Sequence, residues 1–86
     1  MKVFIPPPLH SYTAGVDMVE LDGGTLEAAL SALEDRFPGI RFRMIDEQGR
    51  IRPHIKIFLN AEPALDLDRP VSRGDEVRII CALSGG

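Results

Sequence analysis

Cysteine is nearly absent from this sequence: Cys81 stands alone among 86 residues. No internal disulfide can form, which agrees with a reducing compartment. No apolar run approaches the roughly 20 residues that a bilayer-spanning helix needs. The opening Met1-Lys2-Val3-Phe4-Ile5, followed by three prolines, lacks the apolar stretch and small-residue cleavage site of a secretory signal, so a cytoplasmic location is expected. Charge of one sign is also scarce. The formal net charge is −3 and the basic residues are dispersed, whereas nucleic-acid binding calls for a basic stripe that displaces counterions. A mildly acidic surface suits a basic protein partner. The motifs of self-contained catalysis are missing as well: G-x-x-x-x-G-K-[ST], G-x-G-x-x-G, C-x-x-C, H-E-x-x-H and G-x-S-x-G.

What remains is the composition of an ordinary soluble globular protein, 44% hydrophobic and 27% charged. The length suits one domain over residues 1–86, because two parts could not each bury a useful core. Residues 1–5 alternate, with Val3 and Ile5 opposite Lys2 and Phe4, until Pro6, Pro7 and Pro8 end the strand. After a polar loop, residues 16–21 alternate again, Val19 and Leu21 opposite Met18 and Glu20, up to the Asp22-Gly23-Gly24 turn. Together they read as a β-hairpin.

Thr25 occupies an N-cap position, and Leu26, Ala29, Leu30, Leu33 and Phe37 recur at helical spacing, opposite Glu27, Ser31, Glu34 and Asp35. Pro38 and Gly39 end that helix. Residues 40–45 are ambiguous, and Asp46-Glu47-Gln48-Gly49 is a turn. Residues 54–60 read as a central strand with Ile55, Ile57 and Leu59 on one face and Lys56 and Phe58 on the other. A turn over 60–63, a short element at Arg69-Pro70-Val71 and a turn at Arg73-Gly74-Asp75 lead to a last strand over 76–82, with Val77, Ile79 and Cys81 facing inward. The order predicts an α+β fold, an antiparallel or mixed sheet with one main helix packed on one face. The expected core is Val3, Ile5, Val19, Leu21, Leu26, Leu30, Leu33, Ile55, Ile57, Leu59, Val77 and Ile79.

Few side chains offer chemistry. His10, His54 and Cys81 lack local metal-ligand spacing, so no metal site is expected and the histidines read as surface residues. Cys81, inward on its strand, reads as a small hydrophobe. Glu27, Glu34 and Asp35 mark a solvated helix face. The C-terminus differs. Gly85 and Gly86 follow the final strand through Leu83 and Ser84 in a flexible tail, residues 83–86, whose two glycines can thread a narrow channel because neither has a Cβ to clash with its walls. Such a tail delivers a carboxylate. Once adenylated, that carboxylate can be attacked by a sulfur nucleophile; with no nucleotide motif in this chain, a second protein must do the adenylation.

The opening strand Lys2-Val3-Phe4-Ile5, Gly24-Thr25-Leu26 leading into the helix, Phe37-Pro38-Gly39-Ile40, Ile57-Phe58-Leu59-Asn60, Gly74-Asp75-Glu76-Val77 and the terminal Gly85-Gly86 together resemble the ubiquitin-like sulfur-carrier family. That family includes the molybdopterin synthase small subunit, the thiamine-pathway carrier and the carrier serving cysteine synthesis. The resemblance spans nearly the whole chain and implies a β-grasp fold. Residues 9–15 and 42–52 look more like the cysteine-pathway carriers, and Ala82-Leu83-Ser84 departs from the prolines typical of the molybdopterin subunit's tail. By resemblance, the chain is not an enzyme. Gly86 accepts the adenylate and then carries the thiocarboxylate, Gly85 gives access, and Leu83 with Ser84 forms the entry to the tail. The partners implied are an E1-like adenylating and sulfurtransferase enzyme, which consumes the ATP, and a downstream sulfur-accepting biosynthetic enzyme. No bound cofactor or metal is implied.

Phe4, Phe58 and Ile80 fall on the outward faces of their strands, where neighbouring strands would gather them into a docking patch with Lys56 and Arg78 as its polar rim. Two other functions suit the same chain. One is a ubiquitin-type modifier conjugated through Gly86, and the other a β-grasp binding module with an idle tail.

Overall fold

The computed structural model describes residues 1–22 and 24–82. Strand β1, Lys2–Phe4, ends at the prolines, which turn into a 3-10 segment, Pro7–Leu9, and a single helical turn α1, His10–Thr13. The expected polar loop is therefore structured. Leu9 and Thr13 are buried within it, and the Thr13 hydroxyl donates to the Val16 carbonyl at 2.7 Å. Strand β2, Met18–Glu20, returns antiparallel to β1 and sets Val19 opposite Val3.

A short strand β3, Gly24–Thr25, leads into the main helix α2, Leu26–Arg36. Thr25 caps it as expected, its hydroxyl accepting from the Ala28 N–H at 3.1 Å. Gly39, at φ 98°, holds the left-handed conformation between this helix and α3, Ile40–Met44. A Cβ there would lie 3.3 Å from Tyr12 Cε1, a tight contact that adds to the dihedral preference for glycine. Residues 40–44, ambiguous by pattern, form a helix because Ile40 and Met44, one turn apart, are both wholly buried.

The Asp46 turn forms around its own carboxylate, which accepts the Gln48 and Arg50 N–H groups at 2.9 Å each. Strand β4, Ile55–Leu59, then pairs with a short β5, Glu62–Pro63, where turn alone was expected. Strand β6, Pro70–Val71, pairs with β3, and β7, Glu76–Cys81, completes the fold.

The main sheet runs β2-β1-β7-β4-β5. The strand over 54–60 is central as expected, with β4 paired on both sides, and β7 is the middle strand of the five. Strands β1 and β7 are parallel, and every other pair is antiparallel. The sheet's inner face packs against α2 through Leu26, Ala29, Leu30 and Leu33, all buried to 1% exposure or less. The expected core is buried throughout except for Leu21, which packs half-exposed at its margin. The pattern missed Met1, Leu9, Ile40, Met44, Ile45 and Val71, which also belong to the core. They come from irregular or very short elements, where period carries little signal.

Candidate functional site

Strand register decides what the outer face of the sheet presents. Phe4 lies opposite Met18 on one side and Arg78 on the other, and Arg78 lies opposite Phe58, which faces Pro63. A continuous cross-strand row results: Met18, Phe4, Arg78, Phe58, Pro63. The next row pairs Ile80 with Lys56, and Ile80 is 45% exposed. The five residues expected to form a patch do lie together, but Arg78 is not at its rim. It sits at the centre, its guanidinium carbon 4.2 Å from the Phe4 ring centroid and its Nη2 3.3 Å from Glu76 Oε1. β7 is the middle strand, so its outward residues form the midline of the face. Stacking on a half-buried ring lets the guanidinium lie flat among apolar neighbours while keeping its hydrogen-bonding edge in water.

Beside this row an open groove of about 790 Å³ runs along Phe4, Ile5, Pro6, Pro7, Pro8 and the outer edge of β7 as far as Cys81. The prolines were legible only as a strand stop; they wall this groove because β1 runs parallel to β7, so both strands end at the same edge of the sheet. Met18 was legible as outward-facing, but its place beside Phe4 follows from the hairpin register.

The groove leads to where the chain leaves the sheet. Ala82, the last described residue, donates its N–H to the His54 carbonyl at 2.7 Å. Leu83, Ser84, Gly85 and Gly86, the expected reacting segment, lie outside the described residues. Cys81 is half-buried against the core. His10 is not the free surface residue expected: it is half-buried, with Nε2 2.9 Å from the Ile5 carbonyl. His54 is exposed. Among the described residues, no group of three His, Cys, Asp or Glu side chains is placed to hold a metal ion.

Three carboxyl groups, those of Glu34, Asp46 and Asp75, are held below their usual range, each chiefly because backbone N–H groups donate to the ionised form. Each organises a turn, and none lies on the outer face of the sheet. The chemistry of this surface is that of recognition: a strip of apolar and stacked cationic side chains leading to the chain's exit.

A mixed five-stranded sheet crossed by one capped helix, with its last strand in the middle and its chain running out from that strand, defines a ubiquitin-like β-grasp protein. Solved structures agree. The chain is similar to the CysO in the Amycolatopsis orientalis BexX/CysO complex, with TM-score 0.89 and 31% identity over 99% of this chain and 98% of that one. It is similar to Mycobacterium tuberculosis CysO, described as an antigen, with TM-score 0.88 and 32% identity over 95% of this chain and 98% of that one. In sequence, the sulfur carrier protein CysO of Mycobacterium tuberculosis is 34% identical over 91 aligned positions, covering 100% of this chain and 98% of that protein. Small archaeal modifier protein 1 of Haloferax volcanii is 33% identical over 79% of this chain and 78% of its own length. The chain belongs to the ThiS family, whose match extends over residues 9–86, and it is thus a ubiquitin-like sulfur carrier.

Proposed function

We propose that this chain carries sulfur on the Gly86 carboxyl group for cysteine biosynthesis. The observation that carries the reading is the full-length likeness to the sulfur carrier protein CysO, at 34% identity over 100% of the chain. In the reaction, a carboxylate oxygen of Gly86 attacks the α-phosphorus of ATP on an E1-like partner, and pyrophosphate leaves. A sulfide nucleophile then adds to the acyl carbon and AMP departs, leaving a thiocarboxylate whose sulfur a downstream enzyme takes. Gly85 keeps the approach narrow, while Leu83 and Ser84 span the entry. The chain acts as a carrier, not an enzyme, and works in the cytoplasm with no bound cofactor.

The partner docks on the outer sheet face, with Phe4, Phe58 and Ile80 as anchors around Arg78 and with Lys56 at the edge. The likeness to a CysO solved as a complex with BexX supports a partner of this kind. Replacing Phe58 with Ser should weaken binding of the activating enzyme on the order of tenfold, the scale of an interface anchor, with little effect on the melting temperature. Unchanged affinity in titration calorimetry would remove this face from the interface.

The central test is the intact mass of the chain after incubation with ATP, an activating enzyme and a sulfur donor. A gain equal to one oxygen exchanged for sulfur, lost when Gly86 is deleted, is expected. A second reading is favoured by the likeness to small archaeal modifier protein 1: conjugation of Gly86 to a lysine amine. It predicts higher-mass covalent adducts in a lysate that disappear on deletion of Gly86. A binding module with an idle tail would keep its activity after that deletion.

A further inference from the structure

We infer that a basic cleft at the root of the C-terminal tail, centred on Arg43 and Arg52, docks a carboxylate-bearing rim around the mouth of the channel that receives the tail. This rests on the proposed role of Gly86.

The cleft, about 370 Å³, lies between the Pro7–Leu9 turn, α3 and the end of β7, and its polar lining is supplied by Arg43, Arg52 and His54. Among the described residues no acidic side chain lines it, although the chain as a whole carries a net charge of −3. The local sign is therefore opposite to the overall one, and the basic partner suggested by net charge does not suit this surface.

Arg52 is preorganised. Its Nε donates to the Phe42 carbonyl at 2.7 Å, and its guanidinium carbon lies 4.5 Å from the Phe42 ring centroid. Phe42 is 55% exposed, so the stacked pair stands at the surface. A guanidinium anchored through Nε and laid on an aromatic face still presents its two terminal nitrogens as a fork, which suits the two oxygens of a carboxylate. Arg43 stands over the Tyr12 ring at 5.7 Å. Among the described residues neither arginine makes an ion pair. The nearest contrast is Arg41, engaged bidentately by Glu27 at 2.6 and 3.1 Å. The carboxylate that feels Arg52 is that of Asp46, which is already occupied by the Gln48 and Arg50 N–H groups.

Geometry selects the occupant. Four residues follow Ala82, and four residues span at most about 14 Å. A protein that takes Gly86 into its reaction centre must therefore approach within that distance of Ala82. It then covers the surface around the His54 carbonyl, where this cleft opens. Two arginines buried there without counter-charges would be costly, so the covering rim supplies carboxylates.

The test measures association of the full chain with the activating enzyme that produces the mass gain, by stopped flow from low to high ionic strength. Arg43→Glu and Arg52→Gln should each lower the association rate constant on the order of tenfold at low salt, converging on the parent value at high salt. Arg73→Glu alters net charge as much as Arg43→Glu does, but it lies before β7 at the opposite end, and it should leave the rate within about twofold. Circular dichroism melts check folding. Arg52→Gln removes the Phe42 bond, so Arg43→Glu decides the matter should the former unfold. A parent-like association rate and salt slope for Arg43→Glu, or an equal defect from Arg73→Glu, overturns the docking cleft while leaving the carrier reading intact. Failure of the unaltered chain to gain mass with any activating enzyme overturns both, and is distinguished by that mass.

Discussion

Glu34 shows how one carboxylate connects two helices. Its oxygens accept the Gly39 N–H at 2.8 Å and the Arg41 N–H at 3.0 Å, satisfying donors at the start of α3 that no intrahelical carbonyl reaches. Those bonds exist in full only with the ionised group, so its pKa lies below the usual 4.5. A carboxyl whose pKa falls on folding adds stability above its unfolded value and loses it as pH drops through the folded one. Asp46 and Asp75 act in the same direction. Thermal melts should show little change from neutral pH until the usual carboxylate range and falling stability as the pH drops below it, and Glu34→Gln should flatten part of that fall; an unaltered slope would mean Glu34 contributes nothing through linkage. At the neighbouring Gly39, φ 98° and the proximity of Tyr12 predict that Gly39→Ala costs about 1–2 kcal/mol, measured by urea denaturation.

Helix α2 is the element on which the sheet closes. Its first N–H groups are met from outside the helix, Leu26 donating to the Arg69 carbonyl at 2.9 Å and Glu27 to the Leu67 carbonyl at 3.0 Å, while Thr25 takes the Ala28 N–H. Because the other donors have backbone partners, loss of the cap should be felt as one bond: Thr25→Ala is expected to cost about 1 kcal/mol. Leu30 has no exposed surface and faces the sheet, so Leu30→Ala should cost about 3 kcal/mol through lost burial and a residual cavity. Denaturant midpoints at constant m-value check both. If the two costs were equal, packing of α2 on the sheet would not be what holds it. At the far edge of the sheet, β5 is two residues long and contains Pro63, which lacks an N–H and discourages pairing with another chain.

At the scale of the whole molecule, the buried core and the expected reacting segment occupy different stretches of the chain. The core cluster extends from Met1 to Ile79, and the expected reacting segment begins at Leu83. Removing residues 83–86 should therefore leave the melting free energy within about 0.5 kcal/mol of the parent, as for changes away from packed features, while abolishing sulfur transfer; a large loss of stability would show that the tail packs on the fold. Much of this organisation could be read locally. Thr25 with the apolar spacing of α2, and the alternation in β1, β4 and β7, specify element type because side-chain period depends on neighbouring residues alone. The terminal glycines likewise announce themselves without tertiary context. Residues 7–13 and 40–45 could not be read this way, because single helical turns are too short to express a period and are held by burial of Leu9, Ile40 and Met44 in a core built from elsewhere. The sequence by itself thus determined which faces are apolar and where the main helix begins and ends. Only tertiary structure decided that β7 is the middle strand, that β1 runs parallel to it, that Arg78 lies between Phe4 and Phe58, and that Arg43 and Arg52 line one cleft at the end of β7. The physical reason is that strand order and parallel pairing join residues more than 70 positions apart, as Lys2 joins Glu76, and no local propensity encodes such a contact.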